Sequence, residues 1–355
     1  MPSQSITQEH NRVVRHKKTS RKIVGICFIT ISVSFLLYQI LRNPSDIGEL
    51  LSKTNTSILL LLILLQIASF FLNAFSANRL LSFVGESPGL KNNLKISVMN
   101  EMGNHLMPVA GGSITSYIGY SRIGLPTPAI IFLETATSGL LLSQYLLYFF
   151  VSVLIIPHSY LALVPKLALL TIVTSLSLLI IAWYVFVATR KKNIMKRFIA
   201  KFVHLLGYVF PIDIDEKDID TKMEEAGKKI VENFSLFFAQ RSGALLVFCV
   251  TALYFAIDVA MLKLSFFAFG YTLSPALVAF GMLVSLLLSV ATLFPGHPGV
   301  TETSFVLIFS ALGVPARVGI LAAVLYRVTS YWLWMPLSIY LVVHKGKNHT
   351  TTNTV

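Results

Sequence analysis

Residues 108–128 read PVAGGSITSYIGYSRIGLPTP, and residues 295–317 read PGHPGVTETSFVLIFSALGVPAR. Each stretch interrupts an apolar region with Pro and Gly, continues through a short segment to a second Pro, and leads into a long apolar run. The break prolines Pro108 and Pro295 are 187 residues apart, and the restart prolines Pro126 and Pro315 are 189 apart. This spacing predicts a diverged internal duplication with a small insertion.

The composition places both copies in a membrane protein. Hydrophobic residues make up 55% of the chain and charged residues 13%, with a mean hydropathy of +0.72. Apolar runs reach the roughly 20 residues that cross a bilayer as a helix. We therefore predict an all-α polytopic membrane protein with about six full transmembrane helices. The predicted crossings are residues 23–41, 58–77, 128–156, 167–189, 243–269 and 317–343.

The two breaks are the first candidates for a functional site. Interrupted hydrophobic segments in matching positions of two halves indicate the substrate site of a secondary transporter, because unpaired backbone groups in lipid must be satisfied by protein or water. In the alternative interpretation both breaks are ordinary surface loops, but the flanking segments 94–107 and 304–312 are too short to span alone. The predicted hinge residues are Pro108, Gly111, Gly112, Pro295, Gly296, Pro298 and Gly299.

The net charge of +13 helps to predict how the chain is oriented in the membrane. Its positive residues flank the helices instead of forming one basic domain, which argues against a nucleic-acid partner. Basic residues are dense in segment 1–22 and just after residue 189, so both flanks should be cytoplasmic, and Lys345 and Lys347 place the C-terminus there too. We expect an integral protein of the plasma (inner) membrane with both termini in the cytoplasm.

Counting crossings from a cytoplasmic N-terminus gives the breaks opposite directions. The segment near 92–121 makes no net passage and should be a re-entrant hairpin entering from the cytoplasm, whereas the segment near 274–312 should enter from outside. Together they predict an inverted repeat. The predicted organisation is a basic segment 1–22, a first helix 23–41, a first repeat 58–156, a linking helix 167–189, a charged cytoplasmic stretch 190–240, a second repeat 243–343 and a tail 344–355.

The stretch 190–240 holds eight of the sixteen acidic residues. Its acids resemble a calcium loop only weakly, because Asp218 stands where the sharp turn needs Gly. They favour a short surface helix through Glu225 and Val231. Because Cys27 and Cys249 both lie in apolar runs, neither a disulfide nor a thiolate metal site is indicated, and we expect no metal and no cofactor.

Polar residues within the predicted membrane segments are the candidates for a functional role. Each of them destabilises the protein in lipid unless it has a partner or a function. Before the first break, Asn100 and Asn104, and likewise Glu101 and His105, are four residues apart and predict one polar helix face. In the alternative, this face points to the cytoplasmic interface.

Arg327 lies three turns into the last crossing and is the main substrate-binding candidate. Its guanidinium suits the phosphate of a lipid headgroup, and the alternative is an ion pair with Glu134 or Glu302. Asp258 is a proton-relay candidate, and His297 lies in the second break, where a titrating imidazole can influence gating.

These residues carry a family resemblance. The run 294–302, Gly313 to Pro315, and Tyr326 with Arg327 resemble the C-terminal signature of the lysylphosphatidylglycerol synthase/flippase transmembrane family. The first-half residues Asn104, Pro108, Gly111, Gly112 and Glu134 resemble the other break of that family. The resemblance extends from about the second crossing onward. The chain departs from the family pattern at His297, at Ser116 and at Thr135, the last two standing where the family has Arg.

The resemblance implies a flippase-like transporter of phospholipid, in aminoacylated or other form, between leaflets. Arg327 would hold the phosphate, and the substrate cavity would include Glu302, Glu134, Asn104, Glu101, His105 and His297. Full-length relatives carry a cytoplasmic transferase domain that uses aminoacyl-tRNA. Because this chain ends at Val355 without one, we expect no synthase activity and no catalytic residues. The alternative is the membrane subunit of a lipid-modifying transferase, such as a phosphatidylglycerol lysyltransferase or a lipid-linked glycosyltransferase system, with a separate enzyme as partner.

Overall fold

A computed structural model of the chain describes residues 55–106, 111–156, 216–291 and 300–343. The predicted crossings 23–41 and 167–189 lie outside the described residues, as do Pro108, His297 and the four hinge residues of the second break. Every regular element in these ranges is helical. The helices are α1 Thr56–Phe83, α2 Leu90–Leu106, α3 Gly111–Arg122, α4 Thr127–Ile155, α5 Glu216–Ala239, α6 Arg241–Ala268, α7 Pro275–Ala291, α8 Val300–Ala311, α9 Ala316–Arg327 and α10 Met335–Val343, with a π-helical turn Val328–Trp332 between the last two.

Within the described residues, four helical segments are long and apolar enough to cross a membrane: α1, α4, α6 and the continuous segment Ala316–Val342. They coincide with four of the predicted crossings. Many of their large apolar side chains are exposed on the surface of the protein. This is expected for helices that are surrounded by lipid instead of water. The chain is therefore an integral membrane protein.

The helix lengths repeat between the two halves. A helix of 28 residues is followed by one of 17 and one of 12, first in α1, α2 and α3 and again in α6, α7 and α8. The second set starts 185 residues after the first at α1 and α2, and 189 residues after it at α3 and α4. The shift arises within the two breaks, where the second copy is longer.

The two short helices α3 and α8 also end in the same way. Gly124 and Gly313 both take a φ of +86°, a left-handed conformation that favours glycine. The next residue then donates its N–H back to the carbonyl of Tyr120 in the first copy and of Phe309 in the second. A proline caps the start of the following long helix in each case.

Helices α2 and α3 form an antiparallel hairpin. Asn100 near the end of α2 contacts Ser116, while Asn93 near its start contacts Tyr120 near the end of α3. Ile96 and Tyr120 pack in one core cluster with the end of α1 and the start of α4. The hairpin therefore leaves one end of the helix bundle and returns to the same end.

The second hairpin, α7 with α8, opens from the opposite end. Tyr271, just after α6, donates its hydroxyl to the carbonyl of Gly313, just after α8, over 2.9 Å. The start of α6 belongs to the first end, where Gly243 lies against Phe83. Since 28 residues of α-helix extend about 42 Å, the two hairpins begin at opposite ends. Their position relative to a bilayer stays a prediction.

The contacts between the two halves follow a symmetric pattern. Helix α1 packs on α6, α4 packs on α7, and α10 packs on α2. The stacked rings of Phe149 and Phe280 join α4 to α7, and the Ser338 hydroxyl donates to the Val98 carbonyl to join α10 to α2. Each hairpin thus lies against the last long segment of the other half.

The charged stretch ends in α5, which is longer than the short surface helix that we predicted. Its C-terminal half packs on α1 and α4 through Phe237, which is 6% exposed and lies edge-on to Phe83 and Phe132. The neighbouring Phe238 is 63% exposed. This amphipathic pattern is typical of a helix at a membrane interface.

Candidate functional site

Three charged side chains from both halves meet between the long helices. Glu101 comes from α2, Asp258 from α6 and Arg327 from the end of α9. The charges of Asp258 and Arg327 both act on Glu101. All three side chains are partly buried, so the group is neither sealed in a core nor open on a surface. We call Glu101, Asp258 and Arg327 the central triad.

The residues of the central triad lie away from both ends of the helix bundle. Glu101 and Arg327 are each eleven residues past the first residue of their helices, and Asp258 is ten residues before the end of α6. At 1.5 Å per residue these positions are about 15–17 Å from the helix ends. An ionised group this far from the ends of a membrane-crossing helix is unstable unless it has a partner.

Four tyrosines surround the central triad. The Tyr326 hydroxyl donates to Asp258 Oδ1 over 3.3 Å. Tyr145 and Tyr254 lie in the electric field of both carboxylates, and Tyr331 lies in that of Arg327 and Glu101. Their phenol groups thus lie within electrostatic range of the charges, an arrangement suited to polar groups.

A π-helical turn follows Arg327 directly. Leu333 donates its N–H to the carbonyl of Val328, five residues back, over 3.0 Å. The indole N–H of Trp334 donates to the Thr329 carbonyl over 2.9 Å, and its ring lies edge-on to Phe70 of α1. Such single turns inside α-helices are frequent at functional sites. Here the turn sets the rotation of α9, and hence of Arg327, relative to α10.

A second polar cluster lies among α1, α2, α3 and α4 and encloses a cavity of about 20 Å³. The polar lining residues are Asn73, Asn93, Ser97, Asn100, Ser116, Tyr120, Glu134 and Thr137. We call this space the α1–α4 cavity. A lipid phosphate does not fit in it, because this volume suffices for about one water molecule.

Hydrogen bonds hold the walls of the α1–α4 cavity. Asn100 Nδ2 donates to Ser116 Oγ over 2.9 Å, and the Tyr120 hydroxyl donates to Asn93 Oδ1 over 2.7 Å. Asn93 Nδ2 in turn donates to Asn78 Oδ1. The Glu134 carboxylate lies close to the hydroxyls of Ser113 and Ser116.

The structure divides the predicted polar face of α2 between these two clusters. Glu101 belongs to the central triad and Asn100 to the α1–α4 cavity, so neither points simply to the membrane interface. Asn104 is exposed, and its Oδ1 lies against Gly112 at the start of α3. The side chain of His105 lies outside the described residues.

The structure places Arg327 and Glu134, which could have formed an ion pair, in different clusters. Glu134 joins Ser113 and Ser116 in the first half, whereas the charge of Arg327 acts on Glu101, Tyr326 and Tyr331. The Glu302 side chain lies outside the described residues. Arg327 therefore acts on the carboxylate of Glu101, on which Asp258 acts as well, and Glu134 belongs to a different cluster.

Several site residues were not predicted from the sequence. They are Tyr145, Tyr254 and Tyr331 around the central triad, and Asn73, Asn93 and Ser97 in the α1–α4 cavity. A polar residue such as Asn73 within a 28-residue apolar helix was the available signal. The tyrosines carried no such signal, because they are common in apolar helices. Among the described residues, no group of three His, Cys, Asp or Glu side chains is placed to hold a metal ion.

Comparison with known proteins supplies the family. Residues 23–338 match the family model described as the lysylphosphatidylglycerol synthase TM region. The chain is similar to a UPF0104 membrane protein of Methanothermobacter thermautotrophicus, with 22% identity over 363 residues that cover 98% of this chain and all of that protein. A family match over most of the chain agrees with the residues that suggested the resemblance. The chain belongs to the lysylphosphatidylglycerol synthase transmembrane-region family.

Proposed function

We propose that this protein binds a phospholipid headgroup at the central triad and moves the lipid between the leaflets of the membrane. The observation that carries this proposal is that Asp258 and Arg327 of one half both act on Glu101 of the other half, away from the ends of the helix bundle. A path between leaflets needs polar partners where the bilayer offers none. The family, which is related to membrane lipids, supports the same class of substrate.

The composition of the triad favours a headgroup that carries both signs of charge. The Arg327 guanidinium suits a phosphate, with which it can form two parallel hydrogen bonds. Glu101 and Asp258 suit an ammonium group, and the faces of the neighbouring tyrosines can stabilise the same cation. An aminoacylated phospholipid or another aminophospholipid satisfies all three charges, whereas phosphatidylglycerol satisfies Arg327 alone.

The exchanged contacts between the halves suggest how access alternates. Each hairpin packs on the last long segment of the other half, and the two hairpins open from opposite ends. Rocking one half against the other opens the central triad to one end and closes it to the other. Membrane-embedded hairpins and an inverted repeat are part of this proposal.

The experiment is leaflet exchange of labelled lipids in proteoliposomes, comparing the native protein with Arg327→Ala at matched amounts of folded protein. Removing the charged partner of a phosphate costs about 1.5–3 kcal/mol, which is about 10- to 100-fold in affinity. We expect exchange of aminoacylated phospholipid to fall to near the level of empty liposomes. Arg317→Ala, which removes an exposed arginine from the first turn of the same helix, should leave exchange unchanged.

The choice of lipid tests the triad separately. We expect Glu101→Gln to slow the exchange of aminoacylated lipid more than that of phosphatidylglycerol, because the carboxylate serves the ammonium group. Native protein that gives no exchange above empty liposomes for any of these lipids would contradict the proposal. It would favour a membrane subunit that needs a partner enzyme.

A further inference from the structure

We propose that the α1–α4 cavity is a binding site for one monovalent cation of the size of Na⁺, distinct from the central triad. The polar cluster does not take part in the lipid proposal, and its cavity is too small for a headgroup. The cation proposal is tested by ion binding and the lipid proposal by leaflet exchange, so either can fail without the other.

The ligand atoms in the α1–α4 cavity are oxygens. Ser97 is 6% exposed, and its Oγ makes no hydrogen bond within the described part of the protein. The same holds for Oδ1 of Asn100, whose Nδ2 already donates to Ser116. Buried polar atoms nearly always have a partner, so both atoms indicate that something else satisfies them. Amide, hydroxyl and carboxylate oxygens are ligands for hard cations.

The charge of the lining indicates the valence of the ligand. Among the described residues, Glu134 is the one carboxylate that lines the cavity, and no Lys, Arg or His lines it. A buried carboxylate stays ionised when a positive partner stabilises it, and one monovalent cation bound in the cavity supplies that partner. Divalent ions usually collect more carboxylates or keep several of their waters, for which this cavity has no room. The volume of about 20 Å³ admits one particle of about the size of water.

Helix α2 connects this site to the central triad. Asn100 lines the cavity and its neighbour Glu101 belongs to the triad, so both sites share one turn of helix. Asn100 also bonds to α3 through Ser116. Occupation by a cation therefore stabilises the arrangement of α2 on α3 in which Glu101 faces Arg327.

The test is thermal unfolding of the purified full chain in NaCl, KCl or choline chloride at constant ionic strength. A ligand that binds the folded state raises Tm with its concentration. Above the dissociation constant we expect a rise of about 2–4 °C for each tenfold increase in Na⁺, and a smaller rise with K⁺. Direct binding of radioactive Na⁺ should reach one ion per chain.

Variants locate the ion. Glu134→Gln should abolish the response of Tm to Na⁺, and Ser97→Ala should shift its midpoint about tenfold higher. Ser152→Ala removes a buried serine hydroxyl from α4 outside the cavity and should leave the response intact. Arg327→Ala should also keep it, which separates this site from the lipid site.

Two results would contradict the cation site. A response of the same size to choline, Na⁺ and K⁺, or one that survives both Glu134→Gln and Ser97→Ala, would overturn the proposal and leave a cavity that holds only water. If Glu134→Gln fails to fold, Ser97→Ala together with the binding of radioactive Na⁺ to the native chain decides the question.

Discussion

Gly112 is where the amide oxygens of one helix approach the backbone of the next most closely. A Cβ at this position would collide with Oδ1 of both Asn100 and Asn104, and Gly103 on the facing helix is similarly close to Gly111. The residues that we predicted as hinges, Gly111 and Gly112, thus begin α3 and permit close helix packing. Their absence of a side chain positions Asn100 against Ser116.

Gly112→Ala should destabilise the protein by about 1–3 kcal/mol, because the Asn100 amide cannot move away from a new Cβ without losing its hydrogen bond to Ser116. The matched control is Gly139→Ala in α4, where a Cβ meets nothing within 4 Å and helix propensity favours alanine. Thermal unfolding of both variants in the same detergent measures the difference. Equal stability of the two variants would show that α2 and α3 are not closely packed at Gly112.

The polar residues show the limit of inference from spacing at this scale. A separation of four residues correctly puts Asn100 and Asn104 on the same side of α2, next to Gly112. Adjacent residues of a helix point about 100° apart, so Asn100 and Glu101 reach different neighbours. Which neighbours they reach depends on α3, α6 and α9, and no spacing within α2 contains that information.

At the scale of elements, α5 shows how a charged stretch docks on apolar helices. Its Phe237 enters the core cluster formed by the end of α1 and the starts of α4 and α6, whereas Phe238 faces outward. Hydrophobic residues on one side and acids and lysines on the other explain both its helical period and its place at one end of the bundle. The sequence predicted a helix here but not its docking.

Phe237→Ala should cost about 3–4 kcal/mol in stability, since it removes a buried ring that contacts Phe83 and Phe132. Phe238→Ala should cost much less, because that ring is 63% exposed. Limited proteolysis of stretch 190–240 together with thermal unfolding compares the two. If both substitutions have the same effect, α5 is not anchored through Phe237.

The long helices were the easiest elements to predict. Apolar runs near 58–77, 128–156 and 243–269 correspond to α1, α4 and α6, because the length of a membrane crossing is imposed by the bilayer. The run 317–343 was predicted as one helix, but it contains the π-helical turn after Arg327. A single extra residue per turn leaves the hydropathy unchanged, so the turn could not be predicted.

At the scale of the whole molecule, the two hairpins begin at opposite ends of the bundle. The crossing count predicts that the first hairpin begins at the cytoplasmic face and the second at the outer face. The equivalent loops between the long helix and the hairpin are residues 84–89 in the first half and 269–274 in the second.

Single cysteines in these two loops should react from opposite sides of the membrane. We expect Ser87→Cys to be labelled only from the cytoplasm and Thr272→Cys only from outside, in a chain whose Cys27 and Cys249 are replaced by Ser; both introduced positions are exposed. A membrane-impermeant maleimide applied to intact cells and to inverted vesicles measures the side. Labelling of both positions from one side would contradict the inverted repeat.

The sequence by itself determined the membrane class and the four described crossings, and it predicted the two breaks and a duplication. These follow from local physics: apolar length, the lack of water in lipid, and the limits that Pro and Gly set on helices. The tertiary structure alone decided that Arg327 and Asp258 both act on Glu101, while Glu134 joins the oxygens of the α1–α4 cavity. The reason is that these groups come from different helices, and their meeting depends on helix rotation and on packing between the two halves.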